Sequence, residues 1–266
     1  MFKHVVVAID FSPAWPLLRQ RLQTLRTWGA EELTLVYVLS SRYPATPEES
    51  HRSHYESRLS EEAAPLEADG FRVNWQIRVG EPGAEVVAAA ADVNADLVLL
   101  GDRGYSRFRE FFVGSTALDA ARLTSCPLWL EPVQDGRRAD VDVVLLATDG
   151  SDAAKSAEAN FQQLWPQFSR GVAAMATCAS EGCNREIADA EAHLKQLDRP
   201  DDGLEVRVLD GDPRQVIPAL AKELPADLVI VGKRGRNAMQ QLLLGSTAEA
   251  VCRKAQCPVL VVPSVD

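Results

Sequence analysis

The residues best suited to chemistry lie in two glycine-spaced stretches. Gly232-Lys-Arg-Gly235 is followed, after nine residues, by Gly245-Ser246-Thr247, and Gly101-Asp-Arg-Gly104 is followed, after nine, by Gly114-Ser115-Thr116. Glycines behind an apolar strand let the backbone turn sharply and come close to a ligand. A Gly-Ser-Thr that opens an alanine-rich helical segment sets hydroxyls beside the free N–H groups and the positive dipole end of a helix. Glycine loop and helix start together describe a cradle for phosphate. The charges beside them agree, with Lys233, Arg234 and Arg236 in one stretch and Arg103, Arg107 and Arg109 in the other, in a chain of net charge −10. Basic loops on an acidic protein suit a small anionic ligand, and the overall balance argues against general nucleic-acid binding.

The two stretches are copies. Gly101 and Gly232, Gly104 and Gly235, Gly114 and Gly245, and Cys126 and Cys257 are each 131 residues apart. A constant offset of this kind marks a tandem duplication, and a length of 266 residues then divides into two domains of ordinary size, 1–133 and 140–266, joined by the polar segment 132–139. Each half opens on a near-continuous apolar run, at Lys3 to Ile9 and at Val141 to Ala147, which reads as a central parallel strand. Ser12 before Pro13 reads as a helix N-cap, and Trp15, Leu18, Leu22 and Leu25 follow at helical spacing. Their counterparts are Ala154, Ala157, Phe161 and Leu164. Strands are expected at 33–39 and 71–79 in the first half and at 172–177 and 204–209 in the second, with helices near 49–68 and 184–197. The first copy is longer by eight residues between Asp10 and Gly80 than the second between Asp149 and Gly211. Strand and helix alternate five times per half, which means two parallel sheets with helices on both faces. Ligands in such folds bind at the carboxyl ends of the strands, where the strand order reverses.

The wording Gly-x-x-Gly-x9-Gly-Ser/Thr, after a strand and before a Cys-Pro-Val-type strand, resembles the ATP-binding class of the universal stress proteins. With its flanking strands the resemblance covers nearly the whole chain, as two domains in tandem. It implies an adenine nucleotide α-hydrolase-like fold with strand order 3-2-1-4-5, and a switch point between strands one and four of each half. It implies that Asp10 and Asp149 face the nucleotide, with the ribose or a phosphate-bound Mg2+ as partner. Backbone groups at the end of strand two, near Val38 and Thr177, then meet the adenine. Gly101, Gly104, Gly114, Gly232, Gly235 and Gly245 let backbone N–H groups reach the phosphates, and Ser115, Thr116, Ser246 and Thr247 add hydroxyls. Members of the family dimerise through the last strand, so a tandem chain is expected to form an intramolecular pseudo-dimer, with a further homodimer left open. The first half departs from the pattern. Phe11 stands where the second half has Gly150, and Tyr105, Phe108, Phe111 and Phe112 follow Gly104; these rings either stack on a base, pack plainly or partly fill the pocket. Nucleotide is therefore expected above all in the second half.

The remaining residues mostly exclude. No apolar run approaches the length of a membrane span, and the apolar start is too short for a signal peptide, so a cytoplasmic protein is expected. Five cysteines argue against a disulfide framework, and Cys126 and Cys257 read as small buried hydrophobes. His51 and His54 lack a third ligand, while His4 and His193 carry no signal. No nucleophile with an adjacent base and no placed carboxylate pair stands out. The functional expectation is a nucleotide-dependent stress regulator with an unknown protein partner, hydrolysing ATP slowly at most. Its alternatives are a nucleotide-free dimerisation scaffold and an adenine-nucleotide-processing enzyme.

Overall fold

A computed structural model describes residues 1–12, 14–40, 52–102, 113–133, 142–177, 184–198, 203–235 and 244–264. The chain divides into two compact units, Met1–Asp135 and Gly136–Asp266. The first unit runs β1 (His4–Ala8), α1 (Trp15–Thr27), β2 (Glu32–Ser40), α2 (Arg52–Ala68), β3 (Arg72–Gly80), α3 (Pro82–Asp92), β4 (Leu97–Gly101), α4 (Ser115–Leu123) and β5 (Leu128–Glu131). The second runs β6 (Val143–Ala147), α5 (Lys155–Leu164), β7 (Arg170–Thr177), α6 (Asn184–Lys195), β8 (Glu205–Asp210), α7 (Pro213–Glu223), β9 (Leu228–Gly232), α8 (Ser246–Lys254) and β10 (Val259–Val262). Single 3-10 turns, Asp152–Ala154 and Trp165–Gln167, flank α5.

All strand pairs within a unit are parallel, in the order β3-β2-β1-β4-β5 and its repeat β8-β7-β6-β9-β10. This is the 3-2-1-4-5 order implied by the motif. Val5, Val6 and Val7 of β1 and Val144, Leu145 and Leu146 of β6 are fully buried. A strand without a polar face must be covered on both sides, which is why these runs do not alternate. The repeated Asp before each fourth strand has a structural task. Asp96 Oδ2 accepts from the N–H groups of Lys3 and His4 at 2.9 Å, and Asp227 Oδ2 from those of Asp142 and Val143 at 3.0 and 3.1 Å. Each carboxylate thus ties the start of the fourth strand to the start of the first.

Several local expectations shift. The Ser12 hydroxyl does accept an N–H, from Ala14 at 3.2 Å, but α1 begins only at Trp15 and the proline in its first turn is Pro16. Pro13 lies outside the described residues, as do His51 and the start expected for the second helix. That helix is described from Arg52 and continues through Pro65 to Ala68. In β7, Gly171 faces the indole of Trp165, which stacks on Phe161 at 5.6 Å, and a Cβ there would overlap the ring. No helix among the described residues is long and apolar enough to cross a membrane. Among the described cysteines, Cys126, Cys252 and Cys257 are free thiols. Burial raises the Cys126 thiol and pushes Cys252 up to about 12, which keeps both protonated and inert.

Candidate functional site

In the second unit the carboxyl ends of β6 and β9 bring the motif together. After β6 the chain turns at Asp149, whose Oδ1 accepts from the Ser151 N–H at 3.0 Å, and Gly150 adopts φ +68° between them. After β9 it runs through Lys233 and Arg234 to Gly235, where a Cβ would overlap the other carboxylate oxygen, Asp149 Oδ2. Only glycine lets the loop backbone come this close. The Gly245 N–H donates to the Lys233 carbonyl at 2.8 Å, and a Cβ on Gly245 would lie 3.9 Å from the Gly235 nitrogen. Gly232 closes the floor, its missing Cβ facing the backbone of Ala153 and Ala154. Asp149, Gly232, Gly235 and Gly245 therefore form one cluster at the switch point. Residues 236–243, with Arg236, lie outside the described residues.

Above the cluster starts α8. Its N-cap is Gly245, which has no side chain to cap with, followed by exposed Ser246 and half-buried Thr247. No side chain among the described residues caps the first-turn N–H groups. The Ser151 hydroxyl, one residue past Gly150, is a buried side-chain oxygen with no hydrogen-bond partner among the described residues. Lys233 is almost fully buried; burial, and secondarily the charge of Arg234, pulls its ammonium below the ordinary lysine range. Thr177 ends β7 with its carbonyl accepting from the Gly211 N–H at 3.0 Å.

The first unit has the same backbone and a different filling. Asp10 Oδ1 accepts from the Ser12 N–H at 2.9 Å, and Gly114 donates to the Asp102 carbonyl at 2.7 Å, as Gly245 does to Lys233. Gly114 caps α4, with Ser115 exposed and Thr116 half-buried after it. Gly101 ends β4, but Gly104 and the aromatic span that follows it lie outside the described residues. Phe11 occupies the left-handed position of Gly150, with φ +57°. Its ring meets Tyr37 of β2 at 5.2 Å and Tyr55 of α2 at 6.3 Å, the two tyrosines stack at 4.3 Å, and the Arg58 guanidinium lies 3.9 Å over Phe11. Burial first, then the hydrogen bond and charge of Tyr55, raise the Tyr37 phenol. Asp102 stands where the second unit has Lys233, and its Oδ1 accepts from the Val133 N–H at 2.9 Å.

The model of the universal stress protein family matches residues 1–131 and 159–263. The chain belongs to the universal stress protein family. Two universal stress proteins of Methanocaldococcus jannaschii are similar to single halves. One is 24% identical over 151 residues, covering 48% of this chain and 93% of its own. The other is 29% identical over 136 residues, covering 45% and 80%. A solved universal stress protein from Archaeoglobus fulgidus has the same fold over 100% of both chains, with a TM-score of 0.82 at 22% identity.

Register refines one implied correspondence within this universal stress protein. Ala8 pairs with Val36 and Ala147 with Ala174, so the repeat partner of Val38 is Ala176, and Thr177 answers to Leu39. One partly buried cluster had no mark in the sequence. The Thr148 hydroxyl donates to Glu158 Oε1 at 2.6 Å, His193 Nε2 lies 2.8 Å from the same oxygen, and the Gly150 N–H donates to Thr148 Oγ1 at 3.1 Å. Its members are 10 and 35 residues apart. No periodicity links such positions, and only the separation of Thr148 and Asp149 by a single bond hinted at a site residue.

Proposed function

We propose that this universal stress protein binds ATP with Mg2+ in its second unit, and acts as a nucleotide-dependent regulator rather than as an enzyme with rapid turnover. The observation that carries the reading is the contact between Gly235 and the Asp149 carboxylate beneath the side-chain-free cap of α8. A Cβ at Gly235 would overlap Asp149 Oδ2, so only glycine lets the loop backbone approach the carboxylate beside which the phosphates would lie. The first-turn N–H groups of α8, with Ser246 and Thr247, would bind phosphate oxygens. The Ser151 hydroxyl, without a partner among the described residues, would add a donor. Asp149 would share Mg2+ with the phosphates, an ion that is commonly held by one or two carboxylates plus substrate oxygens. No group of three or more acidic, histidine or cysteine side chains among the described residues could hold a metal by itself, in keeping with a cation that arrives with the nucleotide. Adenine would lie at the end of β7, beside Met175, Ala176 and Thr177. In the first unit the packed rings of Phe11, Tyr37 and Tyr55 would take up the equivalent space, which favours one nucleotide per chain.

The test is calorimetric titration of nucleotide-free protein with Mg-ATP, beside Gly235→Val. One site per chain, lost in the variant while its circular dichroism is unchanged, is the expected result. Absence of heat down to a dissociation constant of about 1 mM, roughly 4 kcal/mol of binding, would refute it and favour the scaffold alternative. Release of AMP at more than a slow background rate would favour the nucleotide-processing alternative.

A further inference from the structure

We propose that Thr148, Glu158 and His193 are positioning residues for the ligand of the second unit, acting through the Gly150 backbone; this rests on the nucleotide reading above. A carboxylate oxygen accepts hydrogen bonds only, so Glu158 Oε1 fixes the direction of every bond in the cluster. His193 Nε2 carries its hydrogen toward Glu158 at 2.8 Å, and the Thr148 hydroxyl gives its own to the same oxygen at 2.6 Å. The Thr148 oxygen is thereby left to accept the Gly150 N–H at 3.1 Å. A helix of the second unit, α6, is tied in this way to the residue that follows Asp149. The other face of Gly150 is walled by the same histidine and by Met175, which a Cβ would meet at 3.4 and 3.2 Å. The turn carrying Asp149 and Ser151 is thus set from two sides by groups that do not themselves belong to the glycine motif.

The fold does not need this cluster. The first unit builds the same strand, turn and helix with Ile9 at the position of Thr148 and Arg19 at that of Glu158. Ile9 is buried there as an ordinary apolar side chain. A carboxylate that is 9% exposed is costly to place in a core and is kept where its partners repay the desolvation. Its presence only in the unit that has Gly150 at the turn, bonded to Thr148 next to Asp149, points to the site rather than to stability. The same backbone turn in the first unit is held from outside by aromatic packing on Phe11.

The test compares Thr148→Val, which keeps shape and deletes the hydroxyl, with Thr148→Ser, which restores it. His193→Ala provides an independent variant at a position whose side chain is 32% exposed and whose loss folding should tolerate. Each is titrated with Mg-ATP, melted without ligand, and followed at the Gly150 amide by 15N NMR. Thr148→Val and His193→Ala should each weaken binding about tenfold, the usual cost of losing a partner that orients a ligating group, and should shift the Gly150 amide; Thr148→Ser should return both to wild-type values. Wild-type binding that Thr148→Val and His193→Ala leave unchanged, whatever their melting temperatures, overturns the relay and leaves the nucleotide reading intact. A wild-type protein that takes up no nucleotide overturns both.

Discussion

At the turn leaving the first strand the two units share a backbone and differ in what stands on it. Phe11 and Gly150 have φ values of +57° and +68°, and in each unit the preceding aspartate accepts the N–H two residues on. A bulky residue in the left-handed region costs about 1–2 kcal/mol, so the conformation of the first unit is held by the turn and by the rings around Phe11, whereas glycine adopts it freely in the second. The backbone turn is shared, and what differs is the side chain on it: Phe11 packs against Tyr37, Tyr55 and Arg58, while Gly150 has none. A second contrast lies deeper. Arg21 pairs with Glu131 at 2.8 Å beneath Trp129, whose indole N–H also donates to Glu131 at 2.8 Å. The repeat equivalents are Asn160, Val262 and Leu260, and Asn160 is satisfied locally by the Ser156 carbonyl at 2.8 Å. At these positions the first unit carries a buried ion pair and the second does not.

The largest expected effect follows from that pair. Glu131→Ala leaves Arg21 buried and uncompensated, and should cost the first unit about 3–5 kcal/mol, read as earlier loss of its amide protection in hydrogen exchange while that of the second unit is kept. Uniform loss in both units would break the comparison. Next, Gly150→Phe should give the second unit the filling of the first and weaken Mg-ATP binding by about 100-fold, or roughly 2.7 kcal/mol; unchanged affinity would mean that the ring in the first unit is irrelevant to occupancy. Gly171→Ala drives a methyl group into the Trp165 indole and should destabilise the second unit by about 1–3 kcal/mol, checked by urea denaturation. The smallest effect is a gain. Phe11→Gly combined with Tyr55→Ala should add a second, weaker binding event to the titration, and a stoichiometry still at one would show that the aromatic cluster is not what keeps the first unit closed.

Most of the fold was legible because repetition and strand patterning are local signals. The constant offset found both units, and the continuous apolar runs found the central strands, within one or two residues at β2, β3, β7 and β8. The glycine motif was legible for the same reason: glycines at fixed spacing mark backbone that must bend toward something. What escaped depends on pairing across the chain. His193 meets Glu158 from another helix, Arg21 meets Glu131 from the far end of the unit, and the equivalence of Val38 with Ala176 rather than Thr177 appears only once the strands are in register. Side chains that act by meeting one another leave no period in the sequence.

The indole resting on Gly171 also settles how the protein will look to an optical experiment. Of five tryptophans, Trp15, Trp28, Trp75 and Trp129 belong to the first unit and Trp165 alone to the second. Emission on denaturation is therefore weighted toward one unit, while far-ultraviolet dichroism weighs the helices of both. Curves from the two probes superimpose only if the whole chain melts as a single cooperative block, and replacing Trp165 by phenylalanine would turn fluorescence into a gauge of the first unit alone.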